Sequence, residues 1–285
     1  MRCITRGSGF LLMSVENMTS EVKICVPNTA VFQRHQDQVL PLAGAITFKE
    51  VSDETFGGRA RFLETSLNLV DADFAAALTP FKSQLDSTFA SFSCDLGPNC
   101  KGWSLGKSTN GFPRYLPHGE VAGVDELVQR AVDNADYVRR FFGGVIKVEN
   151  LNYFPTGAYE EVCIPEVITQ VVEAADIELL LDVGHAVISA HNLDLDVGAY
   201  LDVLPLHRVS EIHLSRPGIV GGLWEDLHEL PSDEELTLLE RIGLRAPLQF
   251  ATIEYYREAG FVKGQRLLYD WCKRWSEEGA ISNRG

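Results

Sequence analysis

Apolar residues recur along this chain in two rhythms. Runs of strand length lie at 22–26, 45–51, 61–67, 89–94, 145–149, 178–182, 209–214 and 248–254, rich in β-branched and aromatic residues. Between most of them, apolar positions fall three and four apart. Phe74, Leu78, Phe81 and Leu85 would share one face of a helix over 73–85. Val124, Leu127, Val128, Ala131, Val132, Ala135 and Val138 do the same over 124–142, where Gly143 and Gly144 stop the pattern. Further helices are expected over 164–175, 197–204, 233–242 and 262–275, the third of them capped by Ser232. A short amphipathic piece through Gln38, Val39 and Leu40 follows the first strand, and a polar helix-like segment follows His185.

Eight strands alternating with helices predict an α/β protein, a single (β/α)8 TIM-type barrel over 21–285. A doubly wound open sheet is the alternative, because the first two helices are short. Residues 1–20 are expected to form an irregular N-terminal extension, with Met13 and Met18 as alternative starts. Two stretches interrupt the alternation. Residues 96–119 hold Gly97-Pro98, Asn110-Gly111 and Phe112-Pro113 and read as a long irregular insert, and residues 216–224 read as a Gly/Pro loop.

Parallel barrels carry their chemistry at the carboxyl ends of the strands. At that rim the pattern places Glu149 on the fifth strand, Asp182 and His185 at the end of the sixth, His213 on the seventh, Asp226 and His228 on the loop after it, and Glu254 on the eighth. Imidazole mixed with carboxylate suits zinc, iron or manganese, and carboxylates can bridge two ions. A single strand-end acid is commonly a helix cap, and His213 alone would be an ordinary core histidine. Seven such groups in register on consecutive strands would repel one another without cations. The other histidines, His35, His118, His191 and His207, are expected at the surface without such partners.

Composition narrows the reading further. The chain is 45% hydrophobic and 23% charged, as globular proteins are, and its net charge of −15 argues against nucleic acid or an anionic membrane as partner. Six scattered cysteines without a CxxC pair suggest reduced, mostly buried thiols, with Cys94 and Cys100 nearest a strand end. The run Gly9-Phe10-Leu11-Leu12-Met13 is too short for a secretory signal, and no run is long enough to span a bilayer, so a cytoplasmic location is expected.

Four segments carry a resemblance: Glu149-Asn150 before a Tyr/Phe loop, Leu180-Leu181-Asp182-Val183, Tyr200-Leu201-Asp202-Val203-Leu204-Pro205, and Val209-x-x-Ile212-His213-Leu214. From about 145 to 254 the chain resembles the multinuclear non-haem iron enzymes typified by the methanobactin-biosynthesis oxidase, within the xylose-isomerase-like barrels. The resemblance implies iron, molecular oxygen as co-substrate, a Cys-containing precursor peptide made on the ribosome, and a small partner protein that binds the peptide leader. It also implies Glu149, Asp182, His213 and Glu254 around one ion, His185, Asp226 and His228 around a second, and Glu149 and Glu254 as the catalytic carboxylates. Two histidines usual in that family are missing. Asp95 stands in one place and only Leu63-Glu64-Thr65-Ser66 occupies the region of the other, so a third ion would be weak, absent or held by Asp95 and Glu64. Two rivals remain. One is a manganese- or zinc-dependent sugar isomerase or epimerase with Glu149 and Glu254 as its acid/base pair, which a lysine or histidine near the sugar oxygen would favour, though none is evident. The other is a metal-bound scaffold subunit without catalysis.

Overall fold

In the computed structural model, residues 21–282 are described apart from 51, 86–87 and 108–112. The expected extension over 1–20, with Cys3, Met13 and Met18, lies outside them, as do Asn110, Gly111 and Phe112. The chain runs β1 (Lys23–Pro27), α1 (Ala30–Arg34), α2 (Gln36–Val39), β2 (Ala43–Phe48), β3 (Ala60–Asn68), α3 (Phe74–Leu78), α4 (Lys82–Leu85), β4 (Ser91–Asp95), β5 (Cys100–Lys107), β6 (Pro113–Val121), α5 (Val124–Arg139), β7 (Val145–Glu149), α6 (Pro165–Ala175), β8 (Glu178–Asp182), α7 (Val183–Asn192), α8 (Val197–Val203), β9 (Glu211–Leu214), β10 (Arg216–Val220), β11 (Leu223–Glu229), α9 (Asp233–Gly243), β12 (Phe250–Ile253) and α10 (Phe261–Ser282).

Eight of these strands pair in parallel and close on themselves in the order β1-β2-β3-β4-β7-β8-β9-β12. The expected barrel is thus borne out, and the open sheet is not. Successive side chains on a strand face opposite ways. On β9, Ile212 and Leu214 join the apolar layer beneath the helices, whereas Glu211 and His213 are left to the interior. Cys25, Ala45 and Phe62 pack together in the interior against Phe250. Above them Lys147 and Glu211 form a buried ion pair at 2.7 Å. The inward residues at the strands' carboxyl ends are polar as well, and there the site lies.

Several elements differ from expectation for visible reasons. The helix over 73–85 is divided by a 3-10 turn at Thr79–Phe81, where Pro80 removes a backbone donor. The segment after His185 is not polar: α7 starts directly at Val183, and Val183, Ala186, Val187, Ile188 and Ala190 are buried. Residues 96–119 are not an irregular insert, since β5 and β6 pair antiparallel across them. Of the glycines that suggested a loop, Gly97 lies before β5 at positive φ; within β5 a Cβ on Gly106 would lie 2.6 Å from Leu116 Cδ1, so the strand needs a glycine where it closes on β6. Likewise β10 and β11 form a hairpin where a loop was expected, turning at Gly221 and Gly222, both at positive φ. Both hairpins follow the carboxyl end of a barrel strand, so both rise from the mouth. Arg114 on β6 pairs with the buried Glu225 on β11 and joins them.

The five described cysteines, Cys25, Cys94, Cys100, Cys163 and Cys272, are free and buried. Among the described residues no helix is long and apolar enough to cross a membrane.

Candidate metal centre

Parity brings the site together. Glu149 and Asp182 end β7 and β8, His213 is the last inward residue of β9, and Glu254 follows β12 directly. Asp182 and His213 are register partners across β8 and β9. Asp226 and His228 stand on β11, not on an open loop, and the register slips between Arg216 and Pro217 so that Leu227 and His228 bulge out of the ladder. His228 has φ 45°, an uncommon backbone setting for a side chain of that size, and its ring turns toward Asp226.

All seven expected residues meet at one mouth. Glu149 Oε1 lies 3.6 Å from His213 Nδ1 and 3.8 Å from His185 Nδ1. His213 Nδ1 is also 3.6 Å from Glu254 Oε1. His185 Nε2 is 3.8 Å from Asp226 Oδ2, which lies 3.0 Å from His228 Nε2, and that nitrogen is 3.5 Å from Glu254 Oε2. Donor-atom spacing divides the set differently from the resemblance. Glu149, Asp182 and His185 form one trio and Glu64, His213 and Glu254 another, with the ligand atoms of each trio within 4.8 Å of one another. Asp182 therefore groups with His185, and Glu64 enters the set.

Hydrogen bonds orient several of these groups. The His185 Nδ1–H donates to the Asn150 carbonyl at 2.8 Å, which leaves the Nε2 lone pair facing the mouth. Asn150 brackets Asp182 as well: its amide donates to the Asp182 carbonyl, and its Oδ1 accepts the Asp182 N–H. Asp182 Oδ1 caps α7 by accepting the His185 N–H at 2.7 Å. Gly184 permits this close start, since a Cβ there would meet Ser215 Oγ at 2.5 Å. Asp226 Oδ1 accepts from Ser215 Oγ and from the His228 N–H, and Tyr256 donates to Glu254 Oε1 at 2.7 Å.

Four other atoms of the cluster are buried without a hydrogen-bond partner: Asp182 Oδ2, Glu64 Oε2 and both nitrogens of His213. Buried polar atoms are almost always satisfied, so four orphans converging on one place call for a missing ligand. Lone pairs from imidazole and carboxylate are what a divalent transition-metal ion accepts, and the residues fit one. Electrostatics agree. Burial pushes Asp182 up to about 7, with the neighbouring carboxylates adding to it against the pull of His185. Burial, then Glu149, drives Asp95 well above the usual carboxylate range. Burial opposes charge on His213, but Glu149 and Glu211 outweigh it and raise its pKa.

Sequence reasoning missed one central residue. Lys49, just beyond β2, reaches into the mouth, where its ammonium donates to Glu64 and, at 3.1 Å, to Glu254. The expected strand over 45–51 hid it as a strand residue. The surface histidines need a smaller correction. His118, His191 and His207 are exposed, but His35 is half-buried and bonds Glu258, and His207 pairs with Glu173. His191 stacks on Trp224 at 4.1 Å beside a groove of about 430 Å³ that also touches Val187, Val197 and Glu234, apart from the cluster.

Residues 119–257 match the family described as RiPP precursor modification enzyme MbnB/TglH/ChrH, over the part of the chain that carries the resemblance. Among curated relatives, a UPF0276 protein of Caulobacter sp. (strain K31) is 29% identical over 144 residues, 48% of this chain and 51% of that one. A UPF0276 protein of Pseudomonas aeruginosa PAO1 is 31% identical over 110 residues, 38% of each chain. The chain thus spans about half or less of the length of these relatives. Among solved structures, endonuclease IV from Thermus thermophilus superposes with TM-score 0.57 at 13% identity, covering 90% of this chain and 100% of that one. The 3-keto-D-glucoside 4-epimerase YcjR from E. coli superposes with TM-score 0.52 at 12% identity, covering 89% and 99%. At such identities the structures show the barrel alone.

Proposed function

From this chain's kinship with the RiPP precursor modification enzymes, we propose that it is a metal-dependent enzyme that modifies cysteine in a ribosomally made precursor peptide. The observation that carries the reading is the convergence of Glu149, Asp182, His185, His213, Asp226, His228 and Glu254 on one mouth with orphaned, buried donor atoms among them. These residues would hold two ions, which we take to be iron. Bound there, iron supplies a soft position for a thiolate and redox chemistry with molecular oxygen as the oxidant.

The chain's own residues do the rest. Glu149 stands between His185 and His213 and links the two halves of the cluster. Glu254 offers Oε2 toward His228 while Tyr256 fixes Oε1, and these two carboxylates are the proposed proton acceptors. The five described thiols are poorly suited to react: burial pushes Cys25 and Cys272 up to about 12 and raises Cys94, Cys100 and Cys163 as well. The reactive thiolate therefore comes from the substrate. The joined hairpins wall the entry, and a small partner protein would present the peptide leader. The test is an aerobic assay of ferrous-loaded protein with a Cys-containing precursor encoded nearby. The expected result is oxygen uptake and a mass change at cysteine; full iron loading with neither result for any such peptide overturns the reading.

One observation favours a second reading. Lys49 is the kind of lysine that a manganese- or zinc-dependent sugar isomerase or epimerase would place near a sugar oxygen, with Glu149 and Glu254 as the acid/base pair. Metal analysis separates the two: coloured, iron-loaded protein supports peptide chemistry, and colourless protein holding manganese or zinc supports the sugar reading.

A further inference from the structure

We infer that the Lys49 ammonium is a resident cation of the cluster, holding Glu64 and Glu254 in the place of a metal ion, so that the chain takes up one ion fewer than its acidic and imidazole groups would otherwise hold. The inference rests on the metal-dependent reading above.

Parity aims the side chain. Phe48 is buried in the outer apolar core and Thr47 faces the interior, where it bonds Cys25, so the next position, Lys49, turns back toward the barrel axis. The stem enters from the rim: the side chain is 40% exposed, against 9% for Glu64 and 6% for Glu254. Its head donates to Oε1 of both carboxylates. Those two residues and His213 are one of the two trios spaced for a metal ion. An ammonium carries three donors and no lone pair, and a metal ion needs the same oxygen lone pairs. The ammonium takes Oε1 of both carboxylates, so an ion seated in that trio would have to stand beside it as a like charge in a low-dielectric mouth.

The remaining groups still make two positions. Glu149, Asp182 and His185 form the other trio, and His213 Nδ1 stands 3.6 Å from Glu149 Oε1 beside it. Glu254 Oε1 is taken by Lys49 and Tyr256, but Oε2 faces His228, which faces Asp226.

The test is metal content per chain. Wild type, Lys49→Met, Lys49→Arg and Glu64→Gln are equilibrated with excess ferrous iron without oxygen, and separately with zinc. They are then desalted and measured by plasma mass spectrometry beside a protein assay. Wild type is expected to hold two ions and Lys49→Met three, while Lys49→Arg and Glu64→Gln hold two, the latter because Glu64 serves the lysine and not an ion. An unchanged count in Lys49→Met, or a lower count in Glu64→Gln, overturns the inference while leaving the metal-dependent reading intact. No bound ion in any of the four overturns both. Should Lys49→Met fail to fold, the Glu64→Gln count alone decides.

Discussion

Asp182 has two oxygens with two tasks. Oδ1 caps α7, and Oδ2 is buried with no partner and belongs to the trio with Glu149 and His185. One side chain can therefore cap the helix and still offer an oxygen to an ion. Asp182→Asn keeps an oxygen for the cap but loses the charge, whereas Asp182→Ala loses both. Asn is expected to fold normally with zinc affinity about tenfold or more weaker, read by calorimetric titration, and Ala to lose about 1 kcal/mol of stability besides. Equal melting of the two apo variants would refute the capping role. Proton linkage follows from the same residue. Its pKa in the folded chain, about 7, lies above the ordinary carboxylate value, so its contribution to apo stability is present at low pH and is lost as pH rises through about 7. A metal ion takes the proton's place. Metal affinity should therefore rise between about pH 5 and 7, with protons released on binding, and calorimetry in two buffers of different ionisation enthalpy would measure that release. Lys49 shows what a residue-level reading of sequence loses. It follows the apolar run Ala45–Phe48 and precedes Val51, and nothing along the chain says that β2 stops at Phe48 or that Glu64 and Glu254 wait opposite.

At the scale of elements, the barrel floor explains the mouth. Lys147 on β7 and Glu211 on β9 pair beneath His213, with Glu211 Oε1 3.8 Å from His213 Nε2. Burial works against the charge on Glu211, yet Lys147 holds its carboxyl down at about 2. Removing one partner strands a buried charge: Glu211→Leu is expected to cost about 3–5 kcal/mol in chemical denaturation, and Lys147→Met in the same chain to recover most of it. If the double variant is no better than the single one, the pair is not what strains the floor. The strands of the second half were legible because β7 and β8 are short, largely apolar runs closed by acids, and their bounds agree with the pattern to the residue. The hairpins were not legible. Gly97-Pro98 and Phe112-Pro113 punctuate the chain on either side of β5, and Gly102 and Gly106 between them are the places where the strand closes on His118 and Leu116. Asp226 and His228 read as loop residues for a like reason: Gly218, Gly221 and Gly222 punctuate the stretch before them, and the bulge at Leu227 and His228 breaks the alternation of a strand.

For the whole molecule, shape and charge point to different partners. The barrel is one that endonuclease IV also uses, so the fold alone is compatible with a nucleic-acid ligand. The charge is not: 40 acidic residues face 25 basic ones, and several of the surplus carboxylates crowd the mouth where a phosphate backbone would have to approach. Two bound divalent ions would add four positive charges and leave the whole chain negative. Affinity for DNA comes chiefly from counterions released by basic contacts, and two arginines near the mouth are already paired, Arg114 on β6 with buried Glu225 and Arg257 after β12 with Glu229. Metal-loaded protein at micromolar concentration is therefore expected not to retard duplex DNA containing an abasic site in about 150 mM salt, nor to cleave it. Retardation that weakens steeply as salt increases would mean that a basic surface exists which net charge conceals, and it would move the molecule from peptides toward nucleic acids. Retardation insensitive to salt would instead point to base contacts. The same preparation mixed with a Cys-containing peptide supplies the positive control, since a neutral or basic substrate meets no such barrier at an acidic mouth.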